Sequence, residues 1–421
     1  MLMWIPKKFA YMSLSEAHIL LREIARGKRS EETVPVFQAY DRVLAEDIIS
    51  DINIPPFPVS HVDGYAVRSE DTLQASINNP VSLKVIGRIY LDEVYRGEVK
   101  SGEAAYISTG CALPNGADAV TPVERVRERG GYIEVLRPLH PRENVIPAGA
   151  DVKKGEKVFC TGHILRAQDI KLLIDLKKWM VKVFRRPIVA LFSVGSELTD
   201  RFEETDKKKF DSHSAAISIL ISEAGGVPMS LGVVPDDTNA IISKLREGIE
   251  KADVVVTIGG ASIGEKDYVL EATKRIGESK VVIRGIKVQP GRVTSLCILN
   301  DKPIVMLPGH FQSTLVGFYA ILLPLIRLLS GLEPEEPCLT VRARLTRKIV
   351  IREFLSFDRV RFVRLMKVLG NYFAEPILGN SSIASVVTNS DGFIIVPCGR
   401  DILEEGEEVN VHLIRGLYPF K

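Results

Sequence analysis

The 421-residue chain is poor in the features that would place it quickly. Its five cysteines (Cys111, Cys160, Cys297, Cys338 and Cys398) are scattered, and no two stand at a metal-ligand spacing. That excludes a zinc ribbon and a disulfide framework, and the thiols read as reduced and mostly buried in a cytoplasmic protein. A formal charge of +2 argues for no particular partner. No long uninterrupted apolar run is present. The longest candidate, Thr314–Leu329, contains Pro324 and Arg327, so it reads as a buried helix and not as a membrane span. The opening MLMWIPKKFAYM is too short and too interrupted for a signal peptide or anchor. A soluble protein with no membrane partner is expected.

What the chain does have is length and alternation. Its size exceeds one ordinary core and implies several domains. Ser13 and Glu16 fit a capping box for a first helix, with Leu20, Leu21 and Ile24 on one face and a stop at Gly27. A weaker helical pattern covers Thr33–Ala45. Pro55, Pro56 and Pro58 then impose a stiff, extended segment that positions Asp63-Gly64. Short strands follow at Val81–Ile86 and Ala104–Ser108, with a hairpin about Gly130-Gly131. Between them lies a polar loop system holding Thr109, Asp118 and Glu124. Pro55–Leu136 therefore reads as a β-rich domain inserted into a stalk made of the segments on either side of it. Arg166–Leu176 is a helix in the second of these.

From Ile188 onward strands and helices alternate, which predicts a mostly parallel sheet covered on both faces. The central stretch is Asp253–Tyr268. β-Branched Val254–Ile258 make a buried strand, and Gly259-Gly260 allow a sharp turn with bare backbone N–H groups for an anion. Asp267 precedes the next helix. Such sheets bind ligands at the carboxyl ends of their strands, and the polar residues fall there: Glu197 after the first strand, Asp236-Asp237 after the second, Gly259-Gly260 after the third, and Pro308-Gly309-His310 after the last. An acid after a strand also caps the next helix, but four such ends together outline one cleft. Carboxylates beside a phosphate-suited turn imply Mg²⁺ with a phosphorylated ligand.

The motifs SHVDGYAV, STGCALPNGADAV, SVGSEL and GGASIGEKDY, followed by a Pro-Gly loop ahead of a helix, resemble the molybdopterin molybdenumtransferase family, related to the E domain of gephyrin. The similarity runs from about Leu14 to the C-terminus. It implies an α/β plus β fold of four domains in an elongated chain: a stalk (1–50 and 140–180), an inserted β-rich domain (51–139), a central molybdopterin-binding α/β domain (181–331) and a C-terminal β-barrel (332–421). The implied reaction inserts molybdate or tungstate into adenylylated molybdopterin and releases AMP with Mg²⁺. The implied site is shared between two subunits of a homodimer. Matched by motif, Asp63 and Thr109 come from the inserted domain, and Glu197, Asp236 and Asp267 from the α/β domain. Asp236 and Asp267 are the expected Mg²⁺ ligands. Gly259, Gly260 and Ser262 line the phosphate or pterin, and Pro308 and Ser313 the oxyanion loop. Arg292, and Lys287 upstream, supply cations for a dianionic oxyanion. Asp151 matches a further family aspartate or an ordinary turn. A molybdopterin adenylyltransferase and the receiving molybdo- or tungsto-enzymes are the implied protein partners.

The chain departs from the family pattern on the oxyanion side. Gln289-Pro290-Gly291-Arg292-Val293 stands where Lys-Pro-Gly-Lys-Pro is usual, so neutral Gln289 replaces a lysine and Arg292 keeps a cation. LPGHFQS stands for Leu-Pro-Gly-Asn-Pro, putting His310 and Phe311 in the loop, and Asp211-Ser212-His213 stands for Asp-Thr/Ser-Asn. These changes predict a variant metal-oxyanion site on an intact adenylate-handling framework. The alternative is a non-catalytic molybdopterin-binding or scaffold paralogue. After a linker at Glu333–Pro337, Thr340–Leu345 and Arg359–Val368 alternate apolar and basic residues as half-buried strands do. Their basic surface lacks interleaved aromatics, so no nucleic-acid partner is expected. Ser381-Ser382 read as a turn similar to a family loop near the site.

Overall fold

The computed structural model describes residues 11–91, 96–260, 267–332, 339–351, 356–379 and 383–414. The chain folds as two compact units, Thr33–Val183 and Met1–Glu32 with Phe184–Lys421. The linker expected at Glu333–Pro337 and the Ser381-Ser382 turn lie outside the described residues.

In the first unit, the segments flanking the insertion share a core of Val36, Leu44, Ile48, Leu165, Leu173 and Val183. The helix expected over Thr33–Ala45 is absent. Glu31–Pro35 is a strand, and a single 3₁₀ turn, Val36–Gln38, follows. The cause is local: Thr33 and Val34 are β-branched, and a residue before proline is pushed to extended backbone. The helix after the insertion forms over Ala167–Asp175.

The insertion is a six-stranded sheet. In spatial order its strands are Ala119–Pro122, Gly64–Val67, Glu103–Ile107, Val81–Ile89, Tyr132–Val135 and Val126–Arg129. Only the Val81–Ile89 and Glu103–Ile107 pair is parallel. Side chains alternate between its faces: Tyr65 and Val67 join one core with Leu83 and Ile133, and Ala66 joins the other with Ile107 and Val120. Gly130 and Gly131 turn the predicted hairpin, both with positive φ. Gly64 is different. It opens a strand, and a Cβ there would stand 2.2 Å from the Thr121 carbonyl oxygen. Asp63-Gly64 is therefore a close backbone approach, not a hairpin turn.

The second unit carries a mixed six-stranded sheet in the order Val227–Val234, Ile188–Val194, Val254–Ile258, Lys302–Leu307, Ser295–Leu299, Ser279–Arg284. The first four are parallel, and the last two extend the sheet antiparallel. Helices Ser212–Glu223, Thr238–Lys251 and Tyr268–Ile276 connect them. Residues of one strand alternate between two cores: Val254 and Val256 face one, Val255 the other. The helix Phe311–Leu329 is nearly all buried, so its apolar character serves the core.

The first helix, Leu14–Ala25, has the predicted capping box on Ser13 and Glu16. The sequence reading places it in the stalk. In the structure Ala17, Leu21 and Ala25 instead pack with Ile321, Leu325 and Ile326 of the buried helix. An amphipathic stripe announces that a helix is covered, not by what. One polar contact seals this packing. Pro324 has no N–H to give the Ala320 carbonyl, the chain widens into a π turn over Phe318–Leu322, and His18 Nε2 donates to that carbonyl at 3.0 Å.

The C-terminal region is a closed five-stranded barrel of Asp358–Val368, Asn371–Pro376, Thr340–Leu345, Glu408–Leu413 and Gly392–Val396. The long strand Asp358–Val368 closes it by pairing with both neighbours. Ala343 and Leu345 point into the barrel while Arg342 and Arg344, alternating with them, are exposed, so the basic pattern is the outer face of strands. The thiols correct one expectation. Cys111 and Cys297 are buried, but Cys160 and Cys398 are exposed. Burial pushes the Cys297 thiol up to about 12, which leaves it unreactive.

Candidate functional site

The four parallel strands end at Val194, Val234, Ile258 and Leu307. The loops that follow them line one cavity of about 1000 Å³. Glu197, Asp236, Gly259, Gly260, Pro308 and Ser313 are among its walls, together with Arg292 and Gln289. Six of these residues come from the four strand-end segments, because parallel strands deliver all their carboxyl ends to one edge of the sheet; Gln289 and Arg292 come from the segment between Ser279–Arg284 and Ser295–Leu299.

Each loop is held by its own chemistry. Gly259 has φ +82, and a Cβ would lie 2.7 Å from the Val194 carbonyl oxygen; Gly260 has φ +68, with Val194 and Val269 side chains at 2.9 and 3.0 Å. No other residue type fits either position without displacement. The Asp236 carboxylate accepts from Ser196 N–H at 3.0 Å and Ser196 Oγ at 3.2 Å, which ties the loop after the second strand to the loop after the first. Thr314 Oγ1 donates to the Pro308 carbonyl at 2.6 Å, and Thr294 Oγ1 to the Gly291 carbonyl at 2.7 Å. Asp211, also in the cavity wall, is buried and caps the next helix through Ser214. The His213 ring packs against Phe311 in a tilted arrangement with centroids 5.2 Å apart.

Not every expected residue joins this wall. Asp267 is the N-cap of the helix Tyr268–Ile276, accepts from Leu270 N–H at 3.1 Å, and forms an ion pair with Arg284 at 2.7 Å. It does not line the cavity. Ser262 lies outside the described residues. Lys287 is also absent from the cavity wall. Asp151 is an exposed turn residue whose N–H donates to the Ile54 carbonyl at 2.9 Å.

Asp63 and Thr109 are brought together in the inserted domain. The carboxylate accepts from Thr109 N–H at 2.7 Å and from Thr109 Oγ1 at 3.0 Å. These two bonds hold its pKa below the usual carboxylate range.

Sequence reasoning missed the partners of the acids. Ser196 on Asp236 sits within the quoted SVGSEL, so its hydroxyl beside a strand end was a readable signal. Arg284 on Asp267 ends a different strand, and nothing local marks it. It also missed a second cavity, of about 400 Å³, which shares Gln289 with the first and is lined by Arg347, Lys348, Arg359 and Arg361. Burial lowers the Arg361 pKa.

For a divalent cation the donor set is the test. Mg²⁺ takes one or two carboxylates plus substrate phosphates and keeps several waters. Asp236 and Glu197, in the wall of a roomy cavity, meet that need. Among the described residues no three His, Cys, Asp or Glu groups form a ready-made metal cage.

Three family models match the chain in order: the MoeA N-terminal region (domain I and II) over residues 12–176, the "Probable molybdopterin binding domain" over 190–328, and the MoeA C-terminal region (domain IV) over 342–414. The molybdopterin molybdenumtransferase of Bacillus subtilis is 30% identical over 94% of this chain and 93% of its own length. The chain belongs to the MoeA family. A second molybdopterin molybdenumtransferase, from Nostoc sp., is 32% identical over 91% of this chain and 89% of its own. The crystal structure of the molybdopterin biosynthesis MoeA protein from Pyrococcus horikoshii superposes with a TM-score of 0.84 at 35% identity, covering 97% of this chain and 100% of that one. The MoeA family assignment spans all four domains, and its molybdopterin-binding region contains the cavity walls from Ser193 to Ser313.

Proposed function

We propose that this MoeA-family chain inserts molybdate or tungstate into adenylylated molybdopterin and releases AMP, completing molybdenum cofactor biosynthesis. The observation that carries the reading is the convergence of four strand-end loops on one cavity with carboxylates, a Gly-Gly turn and Arg292.

The chemistry asked of that cavity is cleavage of a phosphate–phosphate link with charge building on phosphate oxygens. Mg²⁺, when bound, screens that charge as a Lewis acid. Asp236 would hold it, oriented by the two Ser196 bonds, with Glu197 beside it. Asp267 supports the site from outside the cavity wall, by fixing the start of the helix that follows the Gly-Gly motif. Gly259 and Gly260 let substrate approach the backbone closely. Arg292 faces the oxyanion, and the cations of the second cavity, across Gln289, make the same region attractive to anions.

We place the Asp63–Thr109 pair in the same reaction as the contribution of a second copy of the chain in a homodimer, working in the cytoplasm. The family resemblance supports this, and two Thr109 donors fix the orientation of that carboxylate. The discriminating experiment incubates the protein with adenylylated molybdopterin, Mg²⁺ and either oxyanion. Oxyanion-dependent AMP release supports the transferase. Tight pterin binding with no release under either anion makes the chain a scaffold.

A further inference from the structure

Two of the departures on the oxyanion side, Asp211-Ser212-His213 and the His310-Phe311 loop, are remote from each other in sequence yet occupy one place. His213 begins the helix Ser212–Glu223, while His310 and Phe311 lie after the last parallel strand. All three line the strand-end cavity. The His213 ring is fixed against Phe311 at 5.2 Å and 31°. His310 is exposed, lines the same cavity, and stands at the helix N-cap without giving its imidazole to the cap.

The charge balance of the cavity gives this cluster a task. Its described lining carries three carboxylates, Glu197, Asp211 and Asp236, against the permanent cations Arg292 and Lys209. Gln289 adds none. A dianionic ligand in such a wall needs further positive charge, and histidine is the side chain that supplies it on acidification.

We propose that His213 and His310, backed by Phe311, form an anion-binding wall that works with Arg292 on a tetrahedral oxyanion and grips it more tightly as pH falls. The inference rests on the cofactor-assembly reading only for which cavity does the work. The groups facing the pair set the sign. Burial lowers the His213 pKa, Asp211 on its own helix raises it, and His310 from the opposite loop lowers it again. A bound dianion opposes the lowering contributions, so binding takes up protons and affinity rises with acidity. Two sources share this chemistry, free molybdate or tungstate and the phosphate of the nucleotide.

The test is calorimetric titration of the full-length protein with tungstate and, separately, with AMP, at about pH 5.5 and pH 8 and in buffers of different ionisation enthalpy. The expected result is binding of at least one of the two that is roughly tenfold tighter at the lower pH, with net proton uptake. The ligand that behaves so names the source. His310→Asn, at an exposed position, should cut both the pH dependence and the uptake, and His213→Asn with His310→Asn should abolish them. Equal affinity at both pH values for both ligands overturns the proposal. So does an unchanged pH dependence in the His310→Asn protein, whose fold is verified by its thermal transition. AMP release that survives in the double variant, without the pH effect in the wild type, refutes the wall and leaves the transferase reading standing. Pterin binding without AMP release, but with the pH effect present, does the reverse.

Discussion

Gly259 shows how much a single residue contributes to the cavity. Its φ of +82 and the 2.7 Å approach of the Val194 carbonyl leave no space for a side chain. Gly259→Ala should cost roughly 1–3 kcal/mol in chemical denaturation, and it should weaken pterin binding by displacing the turn. Loss of binding with no change in stability would mean that the glycine serves the ligand alone. The acids divide differently from the sequence expectation. Asp236 faces the cavity and is oriented by Ser196, whereas Asp267 is engaged by Arg284 and its own helix. Both stand after a strand and before a helix, so the sequence presents them as equals. Their long-range partners separate them.

Among the elements, two connections hold without apolar area as their chief term. The Ala167–Asp175 helix begins at a buried carboxylate. Asp169 accepts from Arg166 N–H at 2.9 Å, Arg166 Nε at 3.0 Å and His163 Nε2 at 2.8 Å. Burial alone would raise its pKa, but the Arg166 and His163 bonds outweigh burial and hold it at about 2. Its stabilising contribution is therefore complete above the unfolded value of 3.8 and is lost as pH falls through about 2. Asp169→Asn should cost about 1–3 kcal/mol at neutral pH, and that deficit should shrink across this acid window when unfolding is followed against pH. The second connection is His18 on the Ala320 carbonyl. His18→Ala leaves a carbonyl that Pro324 cannot serve, so it should destabilise by about 1–3 kcal/mol in denaturant titration. An effect under about 0.5 kcal/mol would show that water replaces the imidazole. Arg166 and Asp169 are a local pair, but neither the His163 bond nor the His18 bond can be read from a helical pattern. The capping box of the first helix could be, because Ser13 and Glu16 are local to each other.

For the whole molecule, the parallel sheet was the most legible part. Its strands fell where β-branched runs fell, and the rule that ligands meet strand ends collected Glu197, Asp236, Gly259, Gly260 and Pro308 before any coordinates. The helical pattern over Thr33–Ala45, already weakened by Pro35 near its start, gives way to a strand because the β-branched residues before that proline favour extended backbone. The mate of the Leu14–Ala25 helix was invisible for the same reason that Arg284 was: tertiary partners leave no local trace. The proposed sharing of the site between two copies of the chain makes a prediction at this scale. Asp63→Asn and Asp236→Asn proteins, each inactive, should regain about one quarter of wild-type activity when mixed and re-equilibrated, since half the dimers are hybrids with one intact site of two. No recovery would place both residues in one chain's site.

The central claim is that the strand-end cavity performs an oxyanion-dependent release of AMP, and single-turnover measurement of AMP from adenylylated molybdopterin tests it most directly. The wild-type protein should release AMP only with Mg²⁺ and molybdate or tungstate, and Asp236→Asn should slow release by roughly a hundredfold or more while unfolding within about 1 kcal/mol of wild type. Release at the wild-type rate by the Asp236→Asn protein, or release indifferent to either oxyanion, would contradict it.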